Sequence, residues 1–181
     1  MTRRRLQLAA ALVFVLGLAG ASIALASGSN GGHGHGKGSF RASLSGFQET
    51  PANLSSGRGR LQLSMTSTQL TFRLDYSGLS GPPLVAHIHV GQRNVAGGVS
   101  VFFCGGGGKP PCPSSTSGTV SGTISAADVL GPVAQGVDLG NLAQLETAIK
   151  AGFAYANMHT VKYPAGEIRG QITRGHGHGH H

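Results

Sequence analysis

The sequence predicts an all-β protein, an antiparallel sandwich or barrel carrying one short helix. Apolar and polar residues alternate with period two in short runs, the pattern of a half-buried strand. Breaks rich in Gly, Ser, Asn and Pro separate those runs, as they do in sandwiches and barrels. Composition agrees: 31 glycines, no tryptophan and only 11% charged residues suit short strands and tight turns better than a helical bundle.

Taken in chain order, the first strand is expected over residues 39–47, and two more over 59–65 and 69–76. Residues 84–90 and 98–103 follow, then 118–124, 153–160 and 166–173, each bounded by turn-forming residues. Two segments read as helix. Residues 125–130 fit a single turn, with Ser125 as cap and Asp128 three residues on. Residues 141–151 fit a longer one: Asn141 caps it, Leu142, Leu145 and Ile149 share a face, and Gly152 ends it. That helix is expected to cover one end of the β-structure.

One domain is expected over residues 39–174, with dissimilar ends. Residues 1–26 read as an export signal: Arg3, Arg4 and Arg5 precede an apolar run over 6–25, and Ala24-Leu25-Ala26 supplies the small-x-small site that signal peptidase cuts. An apolar run of about 20 residues also suffices to span a bilayer, so a retained anchor is the rival reading. The cleavage site and the Gly/Ser-rich stretch after it favour removal, which leaves no membrane span. Residues 27–38, SGSNGGHGHGKG, form a linker with nothing to bury. Residues 175–181, GHGHGHH, mirror it at the other end. Such Gly-His tracts attract Cu(II), Ni(II) or Zn(II) loosely but build no rigid site.

Loss of the three leader arginines takes the formal charge from +8 to +5. The other basic residues, among them Arg58, Arg60, Arg73, Arg93, Lys109 and Lys150, are scattered along the chain. A nucleic-acid surface needs clustered Lys/Arg with aromatic platforms, so nucleic acid is not an expected partner. An extracellular protein or cell-surface component is, with the chain secreted or held in the cell envelope. Export also accounts for Cys104 and Cys112, which bracket a Gly-Gly-Gly-Gly-Lys-Pro-Pro loop and are expected to pair in an oxidising compartment. Their spacing fits no standard zinc knuckle.

The chemistry-bearing stretch is Ala86-His87-Ile88-His89-Val90. On a strand, residues two apart share a face, so His87 and His89 point one way and Ile88 the other. In Tyr155-Ala156-Asn157-Met158-His159, the histidine shares its face with Asn157 and Tyr155. Glu167, Arg169 and Gln171 are expected to point outward from a third strand while Ile168 and Ile172 point in. Two imidazoles from one strand and a third from a neighbour can converge on one ion at about 2.0–2.1 Å, and imidazole-only ligation suits copper or zinc. Glu49, Asn157, Glu167 and Arg169 are the candidate supports, as acceptors that fix imidazole tautomers or as further ligands. Arg169 and Glu167 are alternatively a solvent-exposed ion pair. Surface histidines bonded to carbonyls or carboxylates are the alternative to a metal site.

Four segments carry a resemblance: Leu44-Ser-Gly-Phe-Gln-Glu49-Thr-Pro51, Ala86-His-Ile-His-Val-Gly91, Ala154-Tyr-Ala-Asn-Met-His-Thr160 and Pro164-Ala-Gly-Glu-Ile-Arg-Gly-Gln171. Together they resemble the CHRD domain, named after the secreted developmental protein chordin and found also in exported bacterial proteins. The chain departs from the family pattern at Thr50, where a second proline is usual. The resemblance implies an extracellular, immunoglobulin-like β-structure and says little about activity. More distantly, the His-x-His strand is similar to the copper strand of the Greek-key copper–zinc superoxide dismutases, whose bridged zinc needs ligands that this domain lacks. The expected function is therefore an exported, non-catalytic CHRD-type binding domain with copper or zinc at His87, His89 and His159. A dismutase-like copper oxidoreductase and a metal-free structural or interaction module of the envelope are the alternatives.

Overall fold

The computed structural model describes residues 38–175; the expected signal, the linker up to Lys37 and the His-rich end from His176 lie outside them. Nine strands form one antiparallel sheet: β1 Gly38–Ser45, β2 Arg58–Met65, β3 Leu70–Ser77, β4 Pro83–Val90, β5 Gly98–Cys104, β6 Gly118–Ile124, β7 Ala154–Thr160, β8 Ile168–Gln171 and β9 Thr173–Arg174. Their order is β5-β4-β7-β8-β1-β2-β3-β6, with β9 beside β1. The two outermost strands, β5 and β6, come up against each other, so the sheet curls nearly into a barrel.

The alternation read from the sequence sets the inside. Phe40, Ala42 and Leu44 of β1, Leu61, Leu63 and Met65 of β2, and Leu70, Phe72 and Leu74 of β3 are buried, with their neighbours turned out. Phe72 meets Phe103 of β5 across the core at 4.5 Å between ring centres. Each large apolar side chain so buried contributes about 1.5–3 kcal/mol.

Helix α1, Leu142–Lys150, begins where Asn141 Oδ1 accepts the Gln144 N–H at 3.2 Å, and it buries Leu142, Leu145 and Ile149. Ser125 and Asp128 form the expected reciprocal cap, although the turn they cap is 3-10 rather than α. None of the described helices is long and apolar enough to cross a membrane.

Two strand ends differ from expectation. The first strand stops at Ser45, because Gly46–Gln48 turn into a 3-10 helix. The last expected strand is two: β8 pairs mainly with β7 and β9 with β1, and between them the buried Ile172 gives its N–H to Ala154 O instead. A change of partner strand leaves no trace in alternation.

Cys104 and Cys112 are joined. The loop they close carries Lys109 across the gap between the outer strands, where its Nζ donates to Thr123 O of β6 at 3.0 Å and pairs with Asp128 at 2.8 Å. On the opposite edge, Leu130 N–H donates to Ser100 O of β5, and Gln135 Oε1 accepts the Gly98 N–H. Replacing both cysteines by serine is expected to cost about 2–3 kcal/mol, the chain-entropy value for a loop this short. A lower denaturant midpoint is the readout.

Candidate metal centre

β4 and β7 are antiparallel neighbours, with Val85 opposite His159, His87 opposite Asn157 and His89 opposite Tyr155. Ala86, Ile88, Ala154, Ala156 and Met158 fill the core. The period of two therefore sends His87, His89, Tyr155, Asn157 and His159 together to the other face. Beyond β7, Arg169 lies opposite Asn157 and Gln171 opposite Tyr155 on β8.

That second face was expected to meet solvent, and it does not. His87 is 5% exposed, Asn157 3% and Arg169 2%. The segments after β1, β4 and β7 fold over it, bringing Glu49, Gly97 and Pro164 to the sheet, and the Phe102 ring stands edge-on to His87 at 5.1 Å. Buried polar groups must then find partners in the protein. Arg169 donates to Thr50 Oγ1 and to the carbonyl oxygens of Gln92 and Val95, and its guanidinium lies 3.4 Å over the Tyr155 ring. Tyr155 in turn stacks flat against His89 at 4.7 Å. Arg169 thereby fixes both the ring beside His89 and the segment that covers it.

The three histidines converge. Their candidate ligand atoms all lie within 4.8 Å of one another, and the His87 ring sits 4.5 Å from His89 and 4.7 Å from His159. Shared ligation at about 2.1 Å would bring such atoms to about 3.4 Å apart, a closure within reach of small ring rotations. Two of the rings are already oriented for it. His89 Nδ1 lies 2.8 Å from Gly97 O and His159 Nδ1 lies 2.9 Å from Pro164 O. A carbonyl oxygen only accepts, so both Nδ1 atoms carry the proton and both Nε2 atoms keep a bare lone pair. Those Nε2 atoms are buried without a hydrogen-bond partner, as is His87 Nδ1. Backbone carbonyls that lock imidazoles in this way are the usual outer support of a metal site.

Electrostatics favour the ligating form. Burial, then the neighbouring His89 and His159, pushes His87 down to about 3 against the opposing influence of the Asn157 amide. Burial is also the main cause of the lowered values at His89 and His159. Neutral imidazole binds metal and imidazolium does not.

Of the expected supports, Asn157 lies beside Glu49, His87 and His89, with its Oδ1 buried and without a hydrogen-bond partner. Glu49 is 8% exposed, and burial raises its carboxyl to about 7 against the pull of Arg169, the Thr50 N–H and Asn157. Its Oε1 has no partner. Glu167 is not an outward residue and does not pair with Arg169. It is fully buried and accepts from Ser55 Oγ, Ser80 N–H, Ser80 Oγ and Thr160 Oγ1. Its role lies in holding loops together. Reading the sequence missed Gly97 and Pro164, because a backbone carbonyl has no signature in side-chain pattern.

The pH dependence of the chelator-treated domain follows from these shifts. Unfolded histidines take up protons near 6.5, whereas folded His87 resists until about 3, and burial lowers His89 and His159 as well. Acid therefore favours the unfolded chain as pH falls from 7 towards 5. Glu49 works the other way: between about 4.5 and 7 its folded form holds the extra proton. Three depressed imidazoles and the depressed Glu167 carboxylate act against the one raised carboxyl, so the urea midpoint is expected to be lower at pH 5 than at pH 7.5. The difference is expected to shrink in His87→Asn.

The model of the CHRD domain matches residues 40–172, which takes in the whole described β-structure except its outermost residues. This chain belongs to the CHRD family. All three converging histidines, Glu49 and the disulfide lie within the matched CHRD segment. Neither the curated proteins nor the solved structures contain a match.

Proposed function

We propose that this protein is an exported CHRD-type binding module that holds one copper or zinc ion through His87, His89 and His159 and does not turn over a substrate. One observation carries the reading. Three neutral imidazoles converge within 4.8 Å, and two have their Nδ1 protons committed to carbonyls so that bare Nε2 atoms face the shared point. Three nitrogen donors of intermediate softness suit Cu or Zn, and leave room for one exogenous ligand. The disulfide fits an oxidising compartment, and so supports export. A dismutase-like enzyme is less well supported: among the described residues this is the one such group of ligands, so nothing there would build a second, bridged zinc.

The test is metal analysis of the exported chain with its tail histidines (His33, His35, His176, His178, His180 and His181) changed to asparagine, which removes the loose tail sites. One equivalent of copper or zinc is expected after reconstitution and dialysis. His87→Ala and His159→Ala should each weaken binding by at least a hundredfold while remaining folded. Absence of stoichiometric metal in the unaltered domain would leave a structural module in its place.

A further inference from the structure

The arginines that are scattered in sequence are gathered by the sheet. Register places Arg41 opposite Gln62, Gln62 opposite Arg73, Arg60 between Ser43 and Asp75, and Arg58 between Ser45 and Ser77. All four arginines occupy outward positions, because their strand neighbours fill the core. With strands about 4.8 Å apart and alternate residues about 6.7 Å apart along a strand, they fall in one patch on the outer face of β1, β2 and β3. Two shallow troughs of about 490 and 410 Å³ run over this face and share Ser43 and Arg60.

The acidic residues of the chain lie elsewhere with one exception. Glu49 and Glu167 are buried, Asp128 faces Lys109, Glu146 faces Lys150, and Asp138 meets Gln144 near α1. The exception is Asp75, which Arg73 grips through both carboxylate oxygens, Nε to Oδ2 at 3.0 Å and Nη2 to Oδ1 at 2.7 Å. That pair shows on this face how a guanidinium here takes a carboxylate. Arg60 stands opposite the same carboxylate and Arg58 donates to the carbonyl oxygens of Ser55, Ser56 and Gly57, so with Arg41 and Arg73 four cations surround one anion and the face is net positive.

We infer that the β1–β2–β3 face binds a linear carboxylated polysaccharide, with Arg41 and Arg60 as its principal anchors. Arginine's planar fork matches carboxylates two bonds at a time. The positions between the arginines are Ser39, Ser43, Ser64, Ser77 and Gln62, which suit a polymer rich in hydroxyl groups. No aromatic side chain lies among the outward positions of these three strands, so the stacking platforms of a single-stranded nucleic-acid surface are missing. The inference is independent of the metal site, which is built on β4 and β7.

Polygalacturonate is the probe, titrated against the full exported chain at several salt concentrations, with dextran as the neutral polymer and duplex DNA as the competing polyanion. Binding to polygalacturonate but not to dextran is expected. Arg41→Gln/Arg60→Gln should weaken it at least tenfold and flatten its salt dependence, since fewer counterions are released. Lys150→Gln/Lys162→Gln removes the same charge elsewhere and should change affinity by less than twofold. Equal losses in the two double variants would overturn the inference, because the attraction would then be that of net charge alone. Tighter binding of DNA than of polygalacturonate would overturn it in favour of nucleic acid. An unchanged melting temperature excludes unfolding as the cause of any loss.

Discussion

Glu167→Ala is expected to destabilise the domain by about 3–5 kcal/mol, the largest single effect of any substitution considered. The carboxylate is fully buried and accepts four hydrogen bonds, from Ser55, Thr160 and twice from Ser80. Those donors come from the segment before β2, the segment before β4 and the end of β7; the pairing of Pro83 with Thr160 brings the last two together, and the carboxylate ties the first to them. Removing the carboxylate leaves the buried Ser55 and Thr160 hydroxyls without their acceptor, each at about 1–3 kcal/mol, and releases the more exposed Ser80 from the loop it holds. Glu167→Gln keeps the shape but turns one acceptor oxygen into a donor, so an intermediate loss is expected. Burial alone would raise this carboxyl, but the hydrogen bonds from Ser55, Thr160 and Ser80 outweigh it and hold it below the ordinary value. A depressed carboxylate contributes stability above its unfolded pKa and loses it as pH falls. The gap between wild type and Glu167→Ala in urea should therefore narrow in acid. A loss below about 1 kcal/mol at pH 7 would show that these loops are held by something else.

Gly97→Ala is expected to damage the metal centre and the fold together. A Cβ at this position would lie 1.8 Å from Val90 O and 2.7 Å from Val90 C, which are backbone atoms of β4 that cannot swing aside. The segment after β4 must then lift. With it go the Gly97 carbonyl that orients His89, the Gly97 N–H donated to Tyr155 Oη, and the Val95 carbonyl that receives Arg169. A cost of about 2–4 kcal/mol is expected from the displaced backbone and the lost bonds. Metal affinity should fall by about 10–100-fold, the usual result of removing an outer-shell partner. Tyr155→Phe separates the two effects. It deletes only the hydroxyl that anchors Gly97 and keeps the ring stacked on His89, so affinity should fall less than tenfold.

The parts of this structure that depend on alternation were legible in the sequence. Ile88 between His87 and His89, and Met158 beside His159, state which face is core; the two strands then needed only to be neighbours for the imidazoles to meet. The helix at Asn141 and the reciprocal cap of Ser125 and Asp128 were legible for a similar reason, because the signal and the bond lie within four residues. What could not be read was long-range. The cover over the second face arises from loops with no periodicity, so Arg169 and Glu167 looked like surface residues. Arg41, Arg60 and Arg73 lie far apart in the chain, and only the pairing register brings them to one patch.

The near-closure of the sheet has a consequence for how copies of this protein behave towards one another. A curled sheet that is not stitched shut keeps two free margins, and a bare margin is a template on which another chain can add strands and begin a fibril. Here each margin is blocked, one by a lysine ammonium and the other by a backbone N–H and a glutamine amide. The cross-linked glycine loop that carries the lysine thus serves solubility as much as stability. Reduction that frees it should shorten the lag before aggregation more than the lost folding energy alone would explain.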